Sequence, residues 1–483
     1  EMEQSWLVEV ASHTHNLHNG INANPAGGQL PAVIAPEYKN GKYETEDAYK
    51  NRLKSDFART VQTLINHIGK KPRVMVWPYG QFNDVAVQIA RQAGMPHYFS
   101  LGEKIVNKVG DKHIGRLLLN AETDLNTVKN YLDGIDESKQ IQRVLHVDLD
   151  YVYDADKAQQ AKNLDKLIDR IYRYGVTTVY LQAFSDPDGD GVADALYFPN
   201  KYLPVRDDIF GRIAWQLQTR AGVQVYAWMP VLAFDLRKGV KEAEYVIDSR
   251  TGKPSTKAYL RLSPYNKQNV EIIKSIYNDL SFYAKFNGIL FHDDVFLTDF
   301  EGAEGDHAEG MVSPQAKQKT QDLIQLTHQL TDALKPYFLR GSYSLKTARN
   351  LYASVITNPN AEEWLAQNLK TLTDNYDTTA IMAMPYMENE QPISQEEAYQ
   401  WFASLIENVK AQAPLDKVLF EFQAVNWRTQ KPIPESELID WMKLLQKNHI
   451  YSYGYYPDNF LTNQPDLNKM KPYFSVNTNV GKP

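Results

Sequence analysis

Acidic and aromatic side chains recur at the points where apolar runs of the sequence end. Five such ends carry Asp148 with Asp150, His292 with Asp293 and Asp294, Tyr386, Trp427, and Tyr456 with Asp458. Carboxyl groups bind cations and exchange protons, and aromatic rings stack against flat ring faces such as those of sugars. Five ends of this kind indicate a functional rim rather than polar residues that merely meet water.

The segment HTHNLH places His13 and His18 on the exit from an expected strand. Neutral imidazoles are good ligands for Zn, Ni, Co or Fe. A catalytic metal needs a third ligand, commonly a carboxylate. His15 would point away from its neighbours in an extended chain. The spacing alone is consistent both with a metal site and with ordinary polar loop histidines.

Two further segments carry suggestive side chains. RVMVWPYG provides Arg73, which can orient a carboxylate, and Tyr79, which can face a ligand, although the segment also fits a strand with an aromatic turn. DPDGDG at 186–191 resembles the start of an EF-hand loop, but its twelfth position is Tyr197. Such a loop needs a bidentate Glu there. We therefore expect an Asp/Gly turn.

Eight strand-and-helix steps would position the rim residues. The expected strands are RVLHVDLDYVY, VTTVYLQAF, VQVYAWMPVLAF, NGILFHDDVF, LRGSYSL, TTAIMAMPY, KVLFEFQAVNW and SYGYYP. Nearly continuous apolar strands indicate burial on both faces, as in a parallel sheet. The pattern predicts an α/β fold with a C-terminal (β/α)8 TIM barrel at residues 143–483. Active sites of this fold lie at the C-terminal ends of its strands.

Residues 1–135 form a first block that also alternates strand and helix. Its expected strands are LVEVASH, RVMVWPYG, HYFSLG and IGRLLL, too few to close a barrel. A long helix is expected to begin after Thr45, a good N-cap residue, and to stop at Gly69. The polar stretch LDGIDESKQIQ is expected to link the two blocks.

Composition and charge exclude several classes of function. There are no cysteines, so disulfides, thiolate metal sites and cysteine nucleophiles are excluded. A net charge of −7 argues against nucleic acid as a partner, because its binders need basic stripes. No signal peptide is recognisable. Because the chain opens at Glu1 in an apparent strand, we expect upstream sequence that carries any targeting signal.

The motifs resemble those of two known groups. HTHNLH followed by RVMVWPYG is similar to motifs of the family-4 carbohydrate esterases, the polysaccharide deacetylases. HVDLDYVYD, YFPNKYLPVRDDIF, RAGVQVYAWMPVLAFDL, NGILFHDD, MAMPYME and SYGYYPDNF resemble the C-terminal domain of the poly-β-1,6-N-acetyl-D-glucosamine (PNAG) N-deacetylases of Gram-negative biofilm systems. The resemblance covers the chain essentially from end to end.

For residues 1–135 the resemblance implies an incomplete polysaccharide-deacetylase barrel. The family removes acetyl groups from PNAG with a divalent metal held by one Asp and two His, which correspond here to His13 and His18. The metal-binding Asp and the catalytic base of the family come from an Asp-Asp motif that precedes the histidines. Nothing before His13 supplies it. We therefore expect weak or absent metal binding (Zn, Ni, Co or Fe) and little deacetylation by this chain.

For the barrel, the resemblance implies binding and, in some members, cleavage of partially deacetylated PNAG. Cleavage needs a carboxylic acid to protonate the leaving oxygen, and a second carboxylate or the substrate's N-acetyl group to stabilise the positive charge. HDDVFLTDFE offers Asp293, Asp294, Asp299 and Glu301, and crowding favours one protonated member. We expect Asp299 to be the general acid and Asp293 and Asp294 to be stabilisers or binders. The alternative is that some of them only bond the backbone.

The remaining candidates would line a substrate groove. Asp148 and Asp150 are expected to hold the cationic amine of glucosamine, and Trp427 is expected to stack on a sugar. Further candidate substrate-binding residues are Tyr259, Tyr386, Tyr456, Asp458, Arg73 and Tyr79. The resemblance also implies a periplasmic protein anchored to the outer membrane as a lipoprotein, with an export porin of the same system as partner.

A second hypothesis assigns the barrel no catalysis. It would then be a polysaccharide-binding module that guides partly deacetylated polymer towards export. The same acidic and aromatic groove suits both hypotheses, although the number of carboxylates favours catalysis. An unrelated amylase-like barrel would not account for the motifs.

Overall fold

The computed structural model describes residues 7–101, 106–121, 123–133, 141–255, 258–301, 312–341, 344–389 and 391–477. The chain divides into two compact units. The small unit comprises residues 1–140, 278–287 and 332–345, and the barrel unit comprises residues 141–277, 288–331 and 346–483.

Eight parallel strands of the barrel unit close into a barrel in chain order, the eighth pairing with the first. In order they are Arg143–Val147, Thr178–Gln182, Gln224–Met229, Gly288–Phe291, Lys346–Tyr352, Thr378–Met382, Val418–Gln423 and Tyr453–Tyr456. The TIM barrel predicted from the sequence is confirmed.

The strands are buried on both faces, as their apolar sequences predicted. Every residue of the second and sixth strands is buried. The fifth strand is an exception to the sequence prediction, because it is Lys346–Tyr352 and not LRGSYSL at 339–345. That prediction was wrong because strand propensity alone does not decide which segment enters a sheet. Ala348 pairs with Thr378 and Lys346 pairs with Gly288, so the neighbouring strands select the later segment.

Helices separate the barrel strands. The main ones are Lys157–Tyr174, Phe210–Gln216, Lys267–Tyr283, Pro314–Leu334, Leu369–Asn375, Gln395–Gln412, Glu435–Lys447 and Leu467–Phe474. Local sequence sets their ends. The helix Lys157–Tyr174 is capped at its start by Asp156, whose side chain accepts the N–H of Ala158, and at its end by Gly175, which has a φ of 70°. Ser394 and Glu397 form a capping box at another start.

The small unit contains a parallel sheet of three strands, Val74–Val76, His97–Leu101 and His113–Arg116. Its helices are Glu46–Ile68, Asp84–Gln92 and Leu125–Leu132, and the first has the predicted N-cap Thr45 and C-cap Gly69. The expected strand LVEVASH is reduced to a single bridge between Ser12 and Met75.

Trp77, Phe57, Tyr49 and Phe82 lie in the core of the small unit. None of the helices in the described part of either unit is long and apolar enough to cross a lipid bilayer.

Candidate active site

The ends of the first and eighth barrel strands meet because the two strands are paired. Asp148 follows the first strand, and the hydroxyl of Tyr456, the last residue of the eighth, lies 3.5 Å from Asp148 Oδ2. Asp148 is 8% exposed, and its Oδ1 has no hydrogen-bond partner among the described residues. Burial, reinforced by the charge of Asp150, raises the pKa of Asp148 to about 8. This carboxyl group is therefore mostly protonated at neutral pH.

Asp150 is held by partners within the protein. Its Oδ1 lies 2.5 Å from Arg206 Nη1 and 2.6 Å from the Tyr197 hydroxyl, which donates to it. Its Oδ2 accepts from the backbone N–H of Asp186 and the side-chain amide of Gln182. These contacts tie the loop after the second strand to the rim, which favours a positioning role. Its binding of a substrate amine stays a prediction.

Asp293 follows the fourth strand and accepts three hydrogen bonds. The donors are the hydroxyls of Tyr259 and Tyr352 and Nε2 of His292, each 2.8 Å away. Burial alone would raise the pKa of Asp293, but the charge and hydrogen bond of His292 and the two hydroxyls hold it below its usual range. Asp293 is therefore a fixed anion at neutral pH.

Asp294 and Asp458 face the protein interior. The carboxylate of Asp294, which is fully buried, accepts the backbone N–H groups of residues 231–233. Asp458 pairs with Arg170, whose Nη2 lies 2.6 Å from Asp458 Oδ1. Both contacts favour bracing roles over the catalytic and binding roles expected from the sequence.

An aromatic wall joins Asp148 to Asp293. Trp427 stacks on Tyr456 with ring centroids 6.1 Å apart, and Trp228 meets Tyr456 edge to face at 5.4 Å. Trp228 lies 5.4 Å from the ring of His292, which in turn is 5.6 Å from the ring of Tyr259. Side chains from the first, third, fourth, seventh and eighth strand ends thus share one rim. Such a surface can hold sugar rings between a neutral acid and an anion.

Asp299 occupies a different environment from Asp293. It is half-buried, and its charge acts on the side chains of Arg250 and Lys319. No hydrogen bond to Asp299 is found in the described part of the chain. Its neighbour Glu301 is buried and accepts from Ser255 and from Arg261 Nη2, the latter at 2.7 Å. Residues 302–311, which follow, lie outside the described residues.

Tyr386 lies beside the sixth strand. Its hydroxyl donates to Glu437 Oε1 at 2.5 Å, and its backbone N–H donates to Gln423. The ring is half-buried. These contacts fix its orientation, and its expected contact with substrate stays a prediction.

Sequence reasoning did not single out Trp228, Tyr352 or Trp364. Tyr352 was hidden because it ends the misplaced fifth strand, and Trp228 is inside an apolar run that reads as core. Trp364 is 40% exposed on the short helix Glu362–Leu365 after the fifth strand, which is unusual for so large an apolar ring. An exposed Trp on the loops of this rim is a further candidate for stacking.

A buried polar pair lies below the rim, inside the barrel. His146 Nε2 lies 2.7 Å from Glu421 Oε1, and the side-chain amide of Asn350 donates to Glu421 Oε2 at 2.7 Å. The ring of His146 meets Trp228 edge to face at 5.2 Å. These three side chains, from the first, fifth and seventh strands, support the floor of the aromatic wall.

In the small unit, His13 and His18 face one another. His13 Nδ1 lies 2.7 Å from the Val76 carbonyl oxygen, and His13 Nε2 lies 3.1 Å from His18 Nδ1. Two nitrogens about 2.1 Å from one ion would lie roughly 3.0–3.4 Å apart, so this separation suits two ligands of one metal. Asp56 orients their loop by accepting the backbone N–H groups of His15 and Asn16.

The donor set nevertheless fits the expected metal only in part. Across the described residues, no third His, Cys, Asp or Glu ligand atom groups with those of His13 and His18. The family's carboxylate ligand therefore has no counterpart among the residues that the structure describes.

Arg73 and Tyr79 are also in the small unit. Arg73 makes two hydrogen bonds to Glu9, at 2.7 and 2.8 Å, on the surface. Tyr79 is 47% exposed and meets the ring of His18 edge to face at 4.5 Å. The structure thus brings Tyr79, but not Arg73, against a metal-ligand candidate.

The DPDGDG segment forms the turn expected from its sequence. The carboxylate of Asp186 accepts the backbone N–H groups of Gly189, Asp190 and Gly191. Carboxylate oxygens of Asp186, Asp188 and Asp190 lie within 4.8 Å of one another. Exposed acidic turns of this kind are common without an ion, so the grouping alone assigns no function.

Comparison with known proteins identifies two families. Residues 146–456 match the family described as hypothetical glycosyl hydrolase family 13, and residues 1–98 match the polysaccharide deacetylase family. The poly-beta-1,6-N-acetyl-D-glucosamine N-deacetylase of Escherichia coli (strain K12) is 38% identical over 502 residues, which cover 99% of this chain and 74% of that protein.

Two further similarities cover parts of the chain. The glycoside hydrolase domain of PgaB (BpsB) from Bordetella bronchiseptica is 39% identical, with a TM-score of 0.64 over 70% of this chain and 100% of that one. The poly-beta-1,6-N-acetyl-D-glucosamine N-deacetylase of Staphylococcus aureus (strain N315) is 28% identical over 138 residues, 28% of this chain and 41% of that protein. The aromatic wall lies within the hydrolase match and the histidine pair within the deacetylase match.

Proposed function

Because this chain belongs to the family of the poly-β-1,6-N-acetyl-D-glucosamine N-deacetylases, as its motifs predicted, we propose that its barrel unit binds and hydrolyses partially deacetylated PNAG. The observation that carries the proposal is the aromatic wall between Asp148 and Asp293. Its rings suit the flat faces of consecutive sugars. The anion Asp293 suits the ammonium group of a deacetylated residue.

We assign the general acid to Asp299 by comparing the four acids of HDDVFLTDFE. Asp294 and Glu301 are bound by groups of the protein, and Asp293 is kept ionised by its three donors. Asp299 is half-buried and has no hydrogen-bond partner in the described residues, so its carboxyl group can meet a substrate oxygen. A general acid needs this access.

In the proposed reaction, the carboxyl group of Asp299 donates a proton to the glycosidic oxygen as the bond from that oxygen to the anomeric carbon breaks. Positive charge then develops on the sugar ring. Asp293 or the substrate's own N-acetyl group stabilises that charge. A water molecule supplies the hydroxyl that completes hydrolysis and returns a proton to Asp299.

Incubation with partially deacetylated PNAG, followed by mass spectrometry, tests the proposal. The wild type should release shorter oligosaccharides, and Asp299→Asn should cut the rate by roughly 10²–10⁴ while polymer binding persists. Asp374→Asn is a matched control, because Asp374 is 61% exposed and forms a surface ion pair with Lys370 of its own helix. If the Asp299→Asn variant shortened the polymer at the wild-type rate, the assignment of the general acid would be refuted.

The same assay separates catalysis from simple binding. Polymer that binds to the wild type but is never shortened would support the export-guiding module and exclude hydrolysis. The crowded carboxyl groups of this rim favour hydrolysis, because recognition of a polymer of neutral and cationic sugars needs fewer acids.

For the small unit we propose that deacetylation by this chain is weak. The support is the pair His13 and His18 without a third ligand among the described residues. Acetate release from PNAG oligomers measures the activity. Robust turnover would contradict the proposal.

We also propose that the protein acts in the periplasm, anchored to the outer membrane as a lipoprotein, beside an export porin for PNAG. The support is membership of a family that modifies an exported polymer, together with a cysteine-free sequence that tolerates an oxidising compartment. Cell fractionation and cross-linking of the protein in its native cells test both statements. Recovery from the cytoplasm would contradict them.

A further inference from the structure

Buried side chains anchor the segment that leads from the fourth barrel strand to Asp299. The backbone carbonyl oxygens of residues 295, 296 and 298 each accept a hydrogen bond from a side chain elsewhere in the barrel unit. The donors are Arg349 and Gln367 at residue 295, Arg261 at residue 296 and Lys319 at residue 298. Supporting contacts of this kind fix the path of the backbone, so the position of Asp299 depends on them.

Lys319 provides the last of these anchors before Asp299. It lies on the helix Pro314–Leu334, is 5% exposed, and places Nζ 3.0 Å from the carbonyl oxygen of Thr298. No other hydrogen bond of its ammonium group is found in the described part of the chain. A buried ammonium group is costly unless opposite charges compensate it, so nearby carboxylates must supply the compensation.

Three carboxyl groups from two loops act on Lys319. Asp299 and Glu301 follow the fourth strand, and Glu363 lies on the short helix Glu362–Leu365 after the fifth. Burial lowers the pKa of Lys319, and these three charges oppose that effect because they favour the ammonium form. The attraction acts in both directions, so the ammonium group of Lys319 also favours a negative charge on each of the three carboxyl groups.

The rest of the protein holds two of these carboxyl groups but not the third. Arg261 pairs with Glu301 at 2.7 Å, and the hydroxyl of Ser313 donates to Glu363 at 2.9 Å. Asp299 has no hydrogen-bond partner among the described residues. Its orientation therefore depends on the backbone anchor at Thr298 and on the charges around it.

A second cation, Arg250, acts on Asp299 from the surface. Its side chain is 48% exposed and pairs with Asp248 at 2.6 Å, so solvent and that carboxylate weaken its effect on Asp299. Lys319 is buried, and its charge is screened less. Lys319 is therefore the cation on which the Asp299 carboxyl group chiefly depends.

We propose that Lys319 is a positioning residue of the hydrolysis reaction: its hydrogen bond to Thr298 and its charge hold the carboxyl group of Asp299 at the glycosidic oxygen and stabilise the carboxylate that remains after proton transfer. The inference rests on the proposed function and adds to it the group that prepares the general acid. A cation near a general acid assists proton donation because it stabilises the carboxylate that is formed.

Steady-state kinetics with soluble, partially deacetylated β-1,6-linked glucosamine oligomers test the proposal. Lys319→Met removes both the hydrogen bond and the charge, so kcat should fall about 10- to 100-fold while the Kd of the oligomers changes less than about threefold. Lys319→Arg keeps a charged donor and should retain kcat within about threefold of the wild type. Lys317, two positions away on the same helix, is exposed, so Lys317→Met is a matched control that should follow the wild type.

The pH profile distinguishes this role from a general loss of stability. Lys319→Gln keeps an N–H donor for the Thr298 carbonyl oxygen but has no charge. The alkaline limb of kcat/KM should therefore move to higher pH by roughly 0.5–1 unit in this variant, because Asp299 would hold its proton to a higher pH. The limb should stay in place in Lys319→Arg. A variant that is only less stable would lose activity without displacing the limb.

The results separate this inference from the proposed function. Wild-type kcat in folded Lys319→Met, or an alkaline limb that does not move in Lys319→Gln, overturns the role of Lys319. If Asp299→Asn is inactive in the same experiment, hydrolysis through Asp299 still stands. Oligomers that the wild type never shortens, or Asp299→Asn with wild-type activity, overturn both. Lys319→Gln and Lys319→Arg decide the matter even if Lys319→Met does not fold.

Discussion

Replacing Asp458 by Asn should destabilise the barrel unit without weakening its binding of oligosaccharide. Asp458 was a candidate binding residue from the sequence, but its side chain is fully buried. Arg170 Nη2 and Nε donate to its oxygens at 2.6 and 2.8 Å. The Tyr455 hydroxyl donates to Oδ1 at 2.7 Å. A substrate therefore has no access to this carboxylate.

The magnitude follows from the charge that the substitution would leave behind. Arg170 is 5% exposed and would lose the one carboxylate partner it has among the described residues, although it would keep its bonds to Asn463 and to the Pro465 carbonyl oxygen. Removal of one member of a buried ion pair costs about 3–5 kcal/mol. Because Asn keeps one acceptor oxygen, we expect a loss of about 3 kcal/mol in the free energy of unfolding.

Urea unfolding followed by tryptophan fluorescence measures the loss, and calorimetric titration of the folded variant with PNAG oligomers measures binding. The double variant Arg170→Met with Asp458→Leu should recover part of the stability, because it leaves no unpaired charge. Unchanged stability combined with a tenfold or greater loss of affinity would refute the reasoning and restore Asp458 as a binding residue.

Three further outcomes are expected. Trp427→Ala and Trp364→Ala should each weaken binding of PNAG oligomers about five- to tenfold without changing the fold, as measured by calorimetry and circular dichroism. His13→Ala should lower the residual affinity of this chain for Zn²⁺ or Co²⁺ by at least about tenfold in a competition titration, because His18 is then left alone. Lys285 is buried and burial lowers its pKa to about 7, so the unfolded chain binds more protons between pH 7 and the usual lysine pKa. The free energy of unfolding should therefore rise with pH through that window, by roughly 5 kcal/mol for this group, and Lys285→Met should remove this group's share of the rise in pH-dependent urea melts.

The architecture was accessible from sequence because burial on both faces leaves a clear pattern. Seven of the eight barrel strands lie where apolar runs predicted them. The fifth was misplaced, since Lys346–Tyr352 contains Ala, Arg and Asn and becomes a strand through its neighbours. That error concealed Tyr352, one of the three groups that hold Asp293.

The site was accessible only in outline. The sequence positions of strand ends predict which polar residues lie near the rim. They do not predict whether each side chain faces the substrate groove or the protein interior. Asp458 meets Arg170, which is 288 positions away in the sequence, and Asp294 meets backbone groups about 60 positions away. Such partners depend on the closed barrel. The raised pKa of Asp148 likewise depends first on its burial in the closed barrel and then on carboxyl groups that follow three different strand segments.

The hydrogen bonds from the backbone N–H groups of residues 231–233 to Asp294 have a consequence for how members of this family diverge. They fasten the loop after the third strand at its root, next to the fourth. Insertions or deletions between this anchor and Tyr259, whose hydroxyl donates to Asp293, would then leave the root of the loop in place. We expect natural changes in substrate preference to lie in the part of the loop beyond this anchor, where they need not alter the catalytic centre.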